Sequence, residues 1–109
     1  MKLIRGVSGV RGVVGKTLTN DIIALYVKAF NEIQSPKGPL LVCRDSRIHG
    51  KTLSDKVIKS LILLNRDIID YEIIPTPTAQ FIVQSQHLSG GIVITASHNP
   101  SEWNGLKFI

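Results

Sequence analysis

Cysteine is nearly missing from this chain of 109 residues: Cys43 stands alone. No intrachain disulfide can form, and with no signal-peptide pattern at the start this fits a reducing, cytoplasmic setting. Cys43 follows Leu40, Leu41 and Val42, where a buried structural thiol is expected. Long hydrophobic runs are also missing, so a membrane-spanning helix is not expected. Aromatic residues make up only 6%, which leaves few platforms for stacking nucleic-acid bases. Thirteen Lys and Arg against eight Asp and Glu give a net charge of +5, yet the basic residues are scattered and form no tail. Nucleic acid and membrane are therefore not the expected partners. A dispersed positive surface does suit small anionic ligands, because it raises their local concentration. The histidines, His49, His87 and His98, are too isolated to suggest a metal site.

What is present is apolar sequence, 43% of the chain, with only 19% charged residues. That composition supports one compact domain and argues against disorder. Residues 2–5 form a possible edge strand, followed by a looped strand from Gly6 to Gly15 with glycine at every third position. Thr19 or Asn20 can cap a helix whose apolar stripe includes Ile22, Ile23, Tyr26, Phe30 and Ile33. Ser35 to Pro39 ends it, and a buried strand follows at 40–43. A helix over 51–64 carries Leu53, Val57, Leu61 and Leu64 on one face. A strand over 67–74 runs into Pro75-Thr76-Pro77, where Thr76 can cap a third helix over 78–86. Gly90-Gly91 opens an apolar strand over 92–95, and a loop over 96–104 leads to a last strand. Such alternation predicts an α/β fold: a three-layer α/β/α domain with a mostly parallel mixed sheet. Ligands of such sheets bind beyond the carboxyl ends of the strands, where 44–50, 75–77 and 96–104 fall. The chain stops on an apolar strand, as expected of a domain truncated at its C-terminus.

The segment after the last apolar helix-linked strand, Thr95-Ala96-Ser97-His98-Asn99-Pro100, is crowded with small polar groups. Ser97 is a candidate nucleophile, and as a phosphoserine it would carry roughly −1.5 to −2 charges needing nearby cations or a metal. Without further context the same string also reads as a polar turn. Asn104-Gly105 suggests a hairpin turn that would fold the last strand back and bring Lys107 towards Ser97. Arg11, in the glycine-rich stretch, suits two-pronged binding of a phosphate. Arg47, in Arg44-Asp45-Ser46-Arg47, can either pair within its loop or face a ligand. Gly15-Lys16-Thr17 is not a nucleotide-binding P-loop, because Val10 stands where that motif needs glycine. Ser97 also lacks the Gly-x-Ser-x-Gly elbow of a serine hydrolase. A non-enzymatic module that binds anionic ligands or nucleic acid is the other alternative.

These segments together resemble the α-D-phosphohexomutases, the family of phosphoglucomutase, phosphomannomutase and phosphoglucosamine mutase. Residues 95–100 followed by Asn104-Gly105-Leu106-Lys107 are similar to the family's active-site signature. Gly6-Val7-Ser8-Gly9-Val10-Arg11-Gly12 resembles its N-terminal Gly-Thr-x-Gly-x-Arg-Gly, with valine replacing threonine at position 7. Asp45-Ser46-Arg47 resembles its Asp-x-Arg segment, and Pro75-Thr76-Pro77 is typical as well. The resemblance implies the first of four domains of an enzyme that moves phosphate between O1 and O6 of glucose, mannose or glucosamine. It implies Ser97 as the phosphate carrier and a hexose 1,6-bisphosphate as intermediate and activator. Magnesium would bind a phosphate oxygen on Ser97 and three aspartates of an Asp-Gly-Asp-x-Asp loop in the second domain. Arg11 and Lys107 would serve charge balance and proton transfer. His98 and Asn99 would support the loop, and Ser8, Asn99 and Arg47 would contact phosphate or substrate. The implied partners are sugar phosphates and the remaining domains of the same polypeptide. The 109 residues alone are expected to be inactive.

Overall fold

The computed structural model describes residues 3–6, 9–34, 38–96 and 99–109. Ser8, Ser97 and His98 lie outside the described residues. The elements run β1 (Ile4–Gly6), β2 (Gly9–Val13), α1 (Asn20–Ile33), β3 (Leu40–Arg44), α2 (Gly50–Leu63), β4 (Ile68–Ile73), α3 (Thr76–Ser85), β5 (Gly90–Ile94) and β6 (Trp103–Phe108). The strands form one six-stranded sheet in the order β1-β2-β6-β5-β3-β4.

The sheet has two halves with different origins. Strands joined through helices are parallel: β3 pairs with β4 and with β5. Strands joined by short connections are antiparallel: β1 with β2, and β5 with β6. β2 then closes on β6, also antiparallel. A helical crossover returns the chain to its starting end and a tight loop does not, which accounts for the division.

Thr19 caps α1, its hydroxyl oxygen accepting from the Ile22 backbone N–H at 3.3 Å. Ile23, Val27 and Phe30 form its buried stripe, and Leu53, Val57 and Leu61 do the same for α2. These helices cover one face of the sheet, against Val10, Leu40, Val42, Ile92, Ile94 and Leu106. Phe30 stacks on Phe108 with ring centroids 4.7 Å apart. The other face is covered by α3, through Ala79, Ile82 and Val83 on Leu41, Cys43 and Val93. The arrangement is the expected α/β/α sandwich, and β3 and β5 at its centre are the apolar strands read from the sequence.

One cap differs from expectation. The third helix begins at Thr76, and Pro75 rather than Thr76 holds the cap position, with no side-chain cap bond. Pro77 then lies inside the first turn, where a residue without an N–H loses nothing and its fixed φ suits the helix.

β4 is a rim of the sheet. Its pairing with β3 slips between Val42 and Cys43, and Glu72 adopts a left-handed φ of 61°. The Glu72 N–H donates to Asp70 Oδ1 at 2.8 Å. No described helix is long and apolar enough to cross a membrane.

Candidate active site

The carboxyl ends of β3 and β5 lie side by side, with Arg44 opposite Ile94. Beyond them the Asp45 N–H donates to the Ile94 carbonyl at 3.0 Å, so the loop after β3 starts against the loop after β5. β6 returns antiparallel and β2 lies beyond it, which places Arg11 opposite Gly105. The Thr95 N–H in turn donates to the Gly105 carbonyl at 2.9 Å. One row across the sheet therefore brings together Arg11, Gly105 and Thr95, residues far apart in the chain.

The connection between β5 and β6 is residues 95–102. Within it the Asn99 N–H donates to the Ala96 carbonyl at 3.1 Å, and the Trp103 N–H to the Pro100 carbonyl at 2.9 Å. Three side chains from other elements hold its described parts. Arg11 Nη1 donates to Asn99 Oδ1 at 2.9 Å. The Thr95 hydroxyl donates to Asp45 Oδ2 at 2.8 Å. Arg47 Nη1 donates to the Pro100 carbonyl at 2.8 Å and lies 3.4 Å from that of Trp103. Asp45 ties the last two anchors together: Oδ1 accepts from the Arg47 N–H at 3.0 Å, and Oδ2 lies 3.4 Å from Arg47 Nε. That backbone bond, from an aspartate to the N–H two residues on, is an Asx turn, which shapes the loop locally.

Asn104-Gly105 is not the turn that its sequence suggests. Both residues are inside β6, paired with Gly12 and Arg11, and the reversal is made by the preceding loop. The glycine has a different reason: a Cβ at Gly105 would lie 2.6 Å from Arg11 Cγ and 2.5 Å from the Val10 carbonyl oxygen. The Arg11 stem crosses β6 over the bare glycine to reach Asn99. Asn104 is fully buried, and its side-chain oxygen accepts from the Gly105 N–H at 2.9 Å.

Lys107 lies opposite Gly9 and Val93. Alternation along β6 puts Lys107 on the same face as Gly105 and therefore as Arg11, two residues further from the loop. α3 covers β5 and β3 on that face. Arg11 and Lys107, both part-exposed, thus share the β2–β6 half of the same face.

Of the residues singled out from sequence, Arg11, Asn99 and Arg47 meet at one loop, which carries Ser97 and His98 between its described parts. Arg47 pairs with Asp45 within its own loop and also reaches two backbone carbonyls at the far end of the β5–β6 connection. Sequence reasoning passed over Asp45 as the central acceptor and Thr95 as its donor. Their signal was the Asp-x-Arg spacing, which allows an Asx turn. Cys43 belongs to β3 and is buried between the sheet and α3. Burial first, and the Asp70 charge second, push its thiol up from 9.0 to about 11. That removes it from nucleophilic chemistry at neutral pH.

The geometry defines an α/β domain that presents a small polar loop at the carboxyl edge of its sheet, held from outside by arginines, with Lys107 further along β6 on the Arg11 face. Residues 2–109 match the family described as phosphoglucomutase/phosphomannomutase, alpha/beta/alpha domain I. The chain belongs to that family. It is 39% identical over 108 residues to a phosphoglucomutase/phosphomannomutase of Thermococcus kodakarensis, covering 95% of this chain and 24% of the relative. It is 35% identical over 107 residues to a phosphoglucosamine mutase of Prochlorococcus marinus, covering 98% and 24%. A crystal structure of a phosphoglucomutase/phosphomannomutase family protein from Burkholderia thailandensis superposes with a TM-score of 0.77 at 30% identity, over 93% of this chain and 24% of that one. The chain thus spans about a quarter of the length of the curated relatives it matches.

Proposed function

We propose that this chain is the phosphoserine-bearing first domain of a four-domain phosphohexomutase. The enzyme interconverts hexose 1-phosphate and hexose 6-phosphate, the hexose being glucose, mannose or glucosamine. The observation that carries the proposal is the Arg11–Asn99 bond, which draws a cation from β2 to within two residues of Ser97 in the chain.

In this reading phospho-Ser97 donates its phosphoryl group to a free hydroxyl of the bound sugar phosphate. The sugar oxygen forms a bond to phosphorus, and the bond from phosphorus to Ser97 Oγ breaks. The hydroxyl proton leaves through Lys107 and is replaced on Oγ. The resulting 1,6-bisphosphate turns over, and its other phosphate returns to Ser97. Phosphoryl transfer of this kind depends on positioning and on neutralising charge over the transferred oxygens. Arg11 supplies a permanent positive charge there, since a guanidinium does not deprotonate in proteins.

Among the described residues no group of three or more His, Cys, Asp or Glu could hold a metal ion. In this reading the chain's share of a magnesium site is the phosphate on Ser97, with the aspartates supplied by another domain. Bound there, the ion would add charge neutralisation. In this reading His98 serves as support for the loop and Ser8 as a phosphate or substrate contact, and the 109 residues alone have no turnover. The enzyme works in the cytoplasm, with sugar phosphates and its own remaining domains as partners.

Phosphorus NMR on the full-length enzyme tests this. With magnesium and a hexose 1,6-bisphosphate present, a 6-phosphate signal should grow from the 1-phosphate of glucose, mannose or glucosamine. Ser97→Ala should reduce that growth by orders of magnitude. Equal rates for wild type and Ser97→Ala would sink the assignment.

A further inference from the structure

We infer that Asp45 and Arg47 are positioning residues for the transfer, acting as one strut that holds both ends of the Ser97 loop; this rests on the phosphoserine reading above. The loop leaves β5 at Thr95 and enters β6 at Trp103. At the first end the Thr95 hydroxyl donates to Asp45 Oδ2 at 2.8 Å. At the second, Arg47 Nη1 donates to the Pro100 carbonyl at 2.8 Å and lies 3.4 Å from the Trp103 carbonyl. Asp45 and Arg47 are joined by the bond from the Arg47 N–H to Asp45 Oδ1 at 3.0 Å and by the ion pair at 3.4 Å. The side chains are 33% and 17% exposed, so this pair is shielded from solvent more than a surface ion pair would be.

The guanidinium spends Nη1 on two backbone carbonyls and sets Nε against a carboxylate. Its planar fork fits those acceptors together, which a single ammonium cannot do. Asp45 completes the geometry by fixing the Arg47 backbone. With both ends of the loop fixed, Asn99 stays where Arg11 reaches it, two residues along the chain from Ser97. The strut thus acts on the orientation of the phosphoserine and not on affinity for the sugar. Misplacing a reacting group by an ångström can slow a reaction about a hundredfold.

The test uses the full-length enzyme and compares wild type, Arg47→Ala, Arg47→Lys, Asp45→Asn, the Asp45→Asn/Arg47→Ala double variant and Ser97→Ala. Arg47→Ala should lower kcat by about 10–100-fold while KM moves less than about threefold, because orientation and not binding is lost. Arg47→Lys should recover only a minor part of that loss. The double variant should be scarcely slower than Arg47→Ala, because the two residues act as one unit. Hydrogen exchange should quicken at the Asn99 and Trp103 amides in Arg47→Ala while the β3 and β5 amides stay protected. Unchanged kcat in Arg47→Ala, with Ser97→Ala inactive, would overturn the strut and leave the mutase assignment standing. A rise in KM matching the fall in kcat would make Arg47 a substrate contact instead. A loss that disappears on cooling together with recovered global stability would make its role purely structural. Activity in Ser97→Ala would instead remove the underlying reading.

Discussion

Replacing Gly105 by alanine separates two effects that one glycine produces. A Cβ there would meet the Val10 carbonyl oxygen at 2.5 Å, Arg11 Cγ at 2.6 Å and the Thr95 carbonyl oxygen at 3.0 Å. Ordinary contact begins near 3.4 Å, so the backbone of β2 would have to retreat by close to an ångström. Overpacking of this kind costs about 1–3 kcal/mol, offset by about 0.4–1 kcal/mol from the stiffer unfolded chain. A net loss of about 1–2 kcal/mol should lower Tm by roughly 5–10 °C in a domain of this size. The Arg11 stem must also leave its path over β6, which breaks its bond to Asn99. On the mutase proposal, kcat of the full-length enzyme should then fall by about tenfold or more, since the charge that Arg11 is proposed to supply is displaced. Gly15→Ala is the matched control. Gly15 has a φ of +80° and no atom within 4 Å of a Cβ. Alanine there strains the backbone by about 1–2 kcal/mol but leaves Arg11 in place. Circular dichroism melting and steady-state kinetics on both variants give the comparison. The reasoning fails if Gly105→Ala melts with wild type. It also fails if both variants lose equal stability and both keep full kcat.

The buried thiol gives a pH dependence. Below about pH 9 Cys43 is protonated whether the chain is folded or not; as pH climbs from 9.0 towards about 11 the unfolded thiol ionises first, so stability should fall. The loss should reach on the order of 2 kcal/mol by the upper end of that window, and Cys43→Ala should lack it. Urea midpoints measured for both chains at pH 8, 9 and 10 should diverge; parallel curves would contradict the burial. Arg66 predicts a second loss of stability. It is 9% exposed and donates to Asn31 Oδ1 at 2.7 Å, to the Asn31 carbonyl at 3.2 Å and to the Gly38 carbonyl at 3.0 Å. Arg66→Met should destabilise the chain by about 2–4 kcal/mol, because acceptors at the end of α1 lose a charged donor. A denaturation midpoint unchanged in Arg66→Met would show that water serves those carbonyls equally well.

The sequence made the layers legible because their physics is local. Apolar runs at 40–43 and 92–94 fit strands buried on both faces, and the stripes of α1 and α2 recur at helical spacing. Arg11, Asn99 and the strand-end loop were legible from residue type and motif. The antiparallel half of the sheet was harder to see. Nothing in Trp103-Asn104-Gly105 distinguishes a turn from a strand interior until Arg11 is known to cross it. The Asp45–Thr95 bond joins residues 50 positions apart, and such pairings exist only once β3 and β5 are neighbours. Thr76 offered a plausible cap, but Pro75 and Pro77 fix the backbone around it more strongly than one hydroxyl can.

The slip in β4 bears on how the chain behaves among copies of itself. An outermost strand with an even row of free N–H and C=O groups is a template on which another chain can grow a ladder. Glu72 breaks that row with its left-handed turn, and its N–H is already taken by the Asp70 side chain. An incoming strand would find only a short register before the spacing fails. The irregularity next to the apolar β3 therefore guards this rim of the folded chain against edge-to-edge aggregation.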